Sequence, residues 1–324
     1  MKKKKIVLAI LGIILLYVGY IGVSIMNLPS VEVLKNRRMN MTIQVKDWHN
    51  NYHSFVVGPK NRYWTASASI PAEMKWAVIV AEDANFYKHE GIDVKAIKNA
   101  IKYDLEKKSF ARGASTITQQ VAKNLFLSRE KTISRKIEEV ILAKRMEQEL
   151  TKGRIIELYL NVVELGPMIY GIGHGAHYYF GKSAAALTPR ECAFLAAMLP
   201  GPRQAYNPYK HLDKVLKRSE MILRLLRSKG ALSEDEYRQA LAESPNISGM
   251  QRKVDESIKQ QEVPFTPLSS ATVPGQPAAS EAPAAGAGNS EQRETPPQNS
   301  ATEPPAGENV PAGAAAPPTE QAPR

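Results

Sequence analysis

The chain has 324 residues, a formal net charge of +11 and a single cysteine, with 43% hydrophobic and 7% aromatic residues. One cysteine excludes a disulfide framework and a cysteine-ligated zinc site. The last 61 residues hold 13 of the 22 prolines, six glutamates, two arginines and no lysine, so they carry −4 and the remainder +15; a length that would allow two domains supplies core material for one.

Lys2, Lys3, Lys4 and Lys5 form a basic end at 1–5, followed by an uncharged apolar run at 6–26. A helix of that length spans about 30 Å, the thickness of a bilayer's hydrocarbon core. The run exceeds the about 7–15 apolar residues of a cleaved signal peptide, and no clear small-x-small site follows it. It therefore reads as one transmembrane anchor, with the lysines cytoplasmic and the rest of the chain outside. The excess positive charge then lies beside lipid head groups, which favours phosphate-bearing lipids over nucleic acid as partners. Residues 27–47 are expected to form a stalk, with Arg37 and Arg38 near the membrane.

From 48 to 246 the pattern is mainly α. Apolar residues recur at helical spacing over 71–87, 94–107, 115–125, 134–150, 154–160, 189–198 and 211–229. Pro71 and Pro189 suit first turns, and Thr188 suits an N-cap. Ser233 followed by Glu236 is a capping-box start, and a short strand pair is expected around Val56 and Val57. Glycines 113, 166, 171, 173, 181 and 201 punctuate the loops. The segment 247–324, rich in proline and alanine, cannot build a core and is expected to be disordered.

Three clusters carry candidate chemistry. Glu82 ends an apolar helix, where partial desolvation would raise its pKa toward that of a working general base; the alternative is a solvated helix-end carboxylate. His89, seven residues on, is read as holding a turn. In the second cluster, Arg112 and Gly113 precede Ser115, Thr116, Gln119, Gln120, Lys123 and Asn124. These small hydroxyl and amide groups suit either a polar cleft that receives an anion or an ordinary N-capped helix start. In the third, Lys131 precedes Arg135, Lys136 and Glu139, the last three on one helix face. They form either a cationic clamp around a carboxylate or common surface ion pairs, worth about 0.3–0.5 kcal/mol each.

Together these clusters resemble glycosyltransferase family 51, the peptidoglycan glycosyltransferases. The resemblance rests on Glu82-Asp-Ala-Asn-Phe86 with His89 and Gly91, the run Gly113-Ala-Ser-Thr-Ile-Thr-Gln-Gln-Val-Ala-Lys-Asn124 and Arg135-Lys-Ile-Glu-Glu139. It continues with Lys152-Gly-Arg-Ile-Ile-Glu-Leu-Tyr-Leu-Asn161 and Tyr179-Phe-Gly-Lys182. Glu164-Leu-Gly166 is most similar to the monofunctional branch. Ser128 and Lys131 fit a Ser-x-x-Lys transpeptidase element, but no Lys-Thr-Gly follows. Asn99 stands where many members carry arginine, His174-Gly175 where they pair alanines, and Glu138 where they are neutral or basic.

The resemblance implies a lysozyme-like, mainly α fold with a membrane-facing lobe. It implies an inverting polymerisation of lipid II into β-1,4-linked glycan with release of undecaprenyl diphosphate. Glu82 would be the base toward the acceptor 4-hydroxyl, and Glu139 would assist at the donor. Lys123, Lys131, Arg135 and Lys136 would hold the diphosphate, with magnesium the expected cofactor. Ser115, Thr116, Gln119, Gln120 and Asn124 would position donor sugar and phosphate. Expected partners are lipid II, the growing lipid-linked glycan, the membrane and other cell-wall synthesis proteins, at the plasma (cell inner) membrane. A peptidoglycan hydrolase or lytic transglycosylase and a silent lipid-II-binding scaffold are the alternatives. On 94–107, Val94, Ile97, Ile101 and Leu105 form one stripe and Lys95, Lys98 and Lys102 another, as in an interfacial helix or a surface helix packed on a core.

Overall fold

The computed structural model describes residues 2–47, 49–107, 115–128 and 130–247. These belong to one compact unit, Met1–Leu268; a second unit, Ser269–Arg324, lies wholly outside the described residues, as do Trp48, Arg112, Gly113 and the expected disordered tail from 248 onward. Ile247, at the expected start of that tail, is buried in the core.

Helix α1 (Lys2–Met26) is exposed along nearly its whole length. Among the described residues it is the one helix long and apolar enough, by length and composition, to cross a membrane. Near its end Ser24 Oγ donates to a Glu138 carboxylate oxygen on α5 (Ile133–Glu149).

The expected stalk at 27–47 is corrected. Val31, Leu34 and Met39 are buried, Leu34 within a 3-10 turn, and strand β1 (Met41–Lys46) pairs antiparallel with β2 (Tyr52–Val57). Burying these apolar side chains removes the reason for the segment to stand free in water. Arg37 pairs with the buried Glu157 at 2.6 Å, and the buried Arg154 donates to Glu157 at 2.9 Å and to the Leu34 carbonyl at 2.8 Å.

The remaining described elements are mainly helical. Helix α2 (Ala72–Glu82) packs on α8 (Pro189–Met198) and α9 (Leu212–Ser228), with α10 (Glu234–Ala242) against both. Helix α8 is buried from Arg190 to Met198, which explains its continuous apolar run. Helix α4 (Ile117–Phe126) packs on α5 and on α6 (Lys152–Val162). Helix α3 (Val94–Lys107) has Ala100 buried, Ile97 half-buried and Val94, Ile101 and Leu105 exposed, Leu105 by 74%. The helix expected over 71–87 ends at Glu82, because the chain turns through Asp83 into a 3-10 turn at Phe86–Lys88.

Sequence patterning missed the small ribbon of β3 (Glu164–Gly166) and β4 (Ile169–Tyr170), and α7 (Ile172–Phe180). Helix α7 contains Gly173 and Gly175, poor helix formers. Packing overrides that preference: a Cβ on Gly173 would lie 2.1 Å from the Tyr63 carbonyl oxygen, so only glycine lets the helix approach this closely. The helix ends on Gly181 in the left-handed region, φ 66°.

Candidate active site

Glu82 is the last residue of α2, at the point where the α2–α8–α9 group meets α4. Its side chain is 15% exposed and its Oε2 accepts from Gln120 Nε2 at 3.1 Å. Gln120 Oε1 in turn accepts from the buried Tyr159 hydroxyl at 3.3 Å, so a Tyr159–Gln120–Glu82 chain aims the carboxylate. Burial raises the Glu82 pKa, against the Gln120 hydrogen bond and the positive charges of Arg218 and Lys123, which lower it. Tyr159 is held well above the usual phenol range by its burial and by the neighbouring Glu82 and Asp83 charges, so it remains a neutral donor.

Asp83, beside Glu82, has different partners. Both of its oxygens lie 3.0 Å from His89 Nε2, and Oδ2 accepts from the Ile117 backbone N–H at 2.9 Å. A carboxylate at the first turn of α4 satisfies an orphan donor and complements the helix dipole. His89 therefore holds the turn, as read from the sequence. Its carbonyl accepts from Lys152 Nζ at 2.7 Å; Lys152 pairs with Glu147 at 2.8 Å, and Glu147 accepts from the buried Thr118 at 2.6 Å. This network ties the loop after Glu82 to α4, α5 and α6.

The residues expected to bind donor sugar and phosphate divide into two sets. Thr116 and Gln119 are buried and form the capping box of α4, with Thr116 Oγ1 also donating to the Gly91 carbonyl at 2.7 Å. Thr116 Oγ1 and Gln119 Oε1 are thereby engaged at the start of the helix, a structural use of both side chains. Gln120 contacts Glu82 rather than facing a separate phosphate site. Ser115 is exposed just before α4, Lys123 and Asn124 are half-buried on α4, and Lys131 is exposed before α5.

Glu139 on α5 is buried, 3% exposed. Arg135 donates to its Oε2 at 2.8 Å and Lys136 to its Oε1; Lys136 Nζ also donates to Ser115 Oγ at 3.1 Å. Thus α4 is common to both centres: Gln120 and Lys123 face Glu82, while the residue before its N-cap meets the Glu139 cluster. The third cluster is a partly buried clamp around a carboxylate, and one charge-bearing group, Lys136, remains 45% exposed toward solvent.

The donor set does not fit a protein cage for magnesium. Both Glu139 oxygens are taken by cations, and among the described residues no three His, Cys, Asp or Glu side chains gather. His174 is a packing group, stacked on Tyr63 at 4.4 Å and 6°, and burial pushes its pKa down to about 4, while His177 is an exposed residue with its ring 5.6 Å from that of Tyr63.

Sequence reasoning missed Arg218, whose Nη2 lies 3.6 Å from Glu82 Oε1. The available signal was a cation at 218 in the apolar stripe of Val215, Ile222 and Leu226, where a solvated face would not place one. It also missed Tyr159, which stands between Leu158 and Leu160 on the buried α6.

Comparison with known proteins places this geometry in context. Residues 49–227 match the family described as Transglycosylase. Penicillin-binding protein 1A of Aquifex aeolicus is 37% identical over 242 residues, which cover 74% of this chain and 33% of that protein. The protein of the same name from Escherichia coli is 39% identical over 221 residues, 68% of this chain and 26% of that one. The one from Neisseria lactamica is 35% identical over 252 residues, 76% and 31% respectively. The chain thus spans between a quarter and a third of the length of these curated relatives.

Proposed function

The chain belongs to the transglycosylase family, glycosyltransferase family 51, and on that premise we propose that it is a peptidoglycan glycosyltransferase that polymerises lipid II into β-1,4-linked glycan. Glu82 takes the proton from the acceptor 4-hydroxyl as that oxygen attacks the donor anomeric carbon. The bond to undecaprenyl diphosphate breaks, and the configuration inverts. The observation that carries this reading is a largely desolvated carboxylate with a raised pKa held by Gln120 of α4, together with the Arg135–Lys136–Glu139 cluster that reaches Ser115 just before the same helix.

The roles follow from charge. A base must be ionised yet ready to accept a proton, and burial supplies the readiness. The leaving diphosphate gains negative charge, and fixed cations near it stabilise the transition state without reorganising. Lys136 and Ser115, exposed at the mouth of the cluster, are suited to meet it, with Lys123, Lys131 and Asn124 alongside. Glu139 holds Arg135 and Lys136 in position. A glycan hydrolase would have no use for such a clamp, since its substrate carries no diphosphate.

We place the chain as a single-pass protein of the plasma membrane, with Lys2 to Lys5 cytoplasmic and the domain outside. The exposed Val94, Ile101 and Leu105 of α3, flanked by Lys95, Lys98 and Lys102, support a lobe resting on the bilayer.

The test is purified protein with labelled lipid II in detergent and magnesium. The expected product is long, lysozyme-digestible glycan. Glu82→Gln should lose about 10²–10⁴-fold in rate, and Glu139→Gln should fall steeply as its cations lose their anchor. Cleavage of preformed sacculi with no polymer made would overturn the reading in favour of a hydrolase.

A further inference from the structure

Arg218 on α9 comes from an element that none of the three catalytic clusters includes. Its Nη2 lies 3.6 Å from Glu82 Oε1 and donates to the Ala81 carbonyl at 3.4 Å, and its guanidinium sits over the Tyr206 ring at 5.5 Å. Glu82 and Ala81 are the last two residues of α2, where unsatisfied carbonyls concentrate partial negative charge. A carboxylate there is opposed twice, by the helix end and by loss of water. One guanidinium meeting both the carboxylate and the helix-end carbonyl answers both costs. Among the described residues Glu82 is the carboxylate that Arg218 meets, and its buried Nε finds no partner.

We propose that Arg218 is a positioning residue for the general base: it keeps Glu82 ionised and pointed into the site, and remains fixed when Glu82 becomes neutral on accepting the acceptor's proton. The stack on Tyr206 and the bond to Ala81 hold the guanidinium at that stage, because neither depends on the carboxylate's charge. The other charged or titratable groups facing Glu82 are Asp83 on its own segment, Lys123 on α4 and Tyr159 on α6. Asp83 is committed to His89 and the Ile117 amide, and Tyr159 stays neutral. Arg218 and Lys123 therefore supply the cationic charge, and Arg218 is the one 3.6 Å from an oxygen of the base.

This inference rests on Glu82 acting as the base, and the test separates the two. Polymerisation of labelled lipid II by the full chain in detergent is followed across the acid limb of the pH–rate profile for wild type, Glu82→Gln, Arg218→Gln and Arg218→Lys. Loss of the cation disfavours the ionised base, so the Arg218→Gln limb should move to higher pH. On that limb its rate should fall about tenfold further below wild type than it does on the plateau. Arg218→Lys should return the limb most of the way. A lowered plateau with an unmoved limb overturns the inference, as does an equal displacement in the lysine and glutamine variants. If Arg218→Gln does not fold, Arg218→Met, which keeps an apolar stem without the cation, is read by difference infrared titration of the Glu82 carboxyl against its Glu82→Gln counterpart. There the carboxyl should titrate above that of wild type, and an unmoved carboxyl overturns the inference. An active Glu82→Gln enzyme would remove the base reading itself and this inference with it.

Discussion

Partial burial opposes the charge of Glu82, and that cost belongs to folding as well. Its folded-state pKa is raised, chiefly by desolvation, above the unfolded value. The folded chain therefore keeps the proton to higher pH than the unfolded chain does. Stability falls as pH rises from the ordinary carboxylate range through the raised value, since only there does the buried group carry charge. Glu82→Gln resembles the protonated form, so it should melt above wild type at neutral pH and converge with it in acid. Thermal unfolding by circular dichroism at a series of pH values checks this, and a variant that melts lower at every pH would contradict it. An active site that destabilises its own fold is a common consequence of selection for activity. Asp83 and Glu82, adjacent in sequence, have different partners: one is met by His89 and a helix N-terminus, the other by Gln120 and Arg218.

At the scale of elements, α4 organises the centre. Its N-terminus is closed by the Thr116–Gln119 capping box and by Asp83, so its start is fixed by three polar side chains rather than by water. Helix α3 is the opposite case, with an apolar stripe that its own domain does not cover. Burying a leucine or isoleucine side chain stabilises by about 1.5–3 kcal/mol. For a chain lacking residues 2–26, so that α1 cannot mask the effect, Ile101→Glu with Leu105→Glu should weaken binding to anionic-lipid vesicles by about tenfold or more, read by flotation. Unchanged flotation would mean that α3 meets something other than lipid.

For the whole molecule, the decisive revision is that the domain begins well before the region of family resemblance. Leu34, Met39 and β1 lie in the core, and Arg37 and the Leu34 carbonyl meet the buried Glu157 and Arg154. Removing residues 2–26 should leave a cooperative thermal transition near that of the full chain. Removing 2–47 should abolish it, because the core loses Val31, Leu34, Met39 and Val45 and β2 loses its partner strand. Two similar melting curves would restore the stalk.

By itself the sequence determined the class of structure, the membrane-length helix, most helix positions and the candidate carboxylates Glu82 and Glu139. Those features depend on local periodicity, capping chemistry and residue type, which are written in adjacent positions. Only the tertiary structure decided that Thr116 and Gln119 form the capping box of α4, that Val31, Leu34, Met39 and Val45 join the core, that a glycine-bearing segment is helix α7, and that Arg218 stands beside Glu82. Each of these depends on what lies opposite across the fold, many residues away: the desolvation of a group and the sign of the charge facing it are set by packing, which spacing along a chain does not encode.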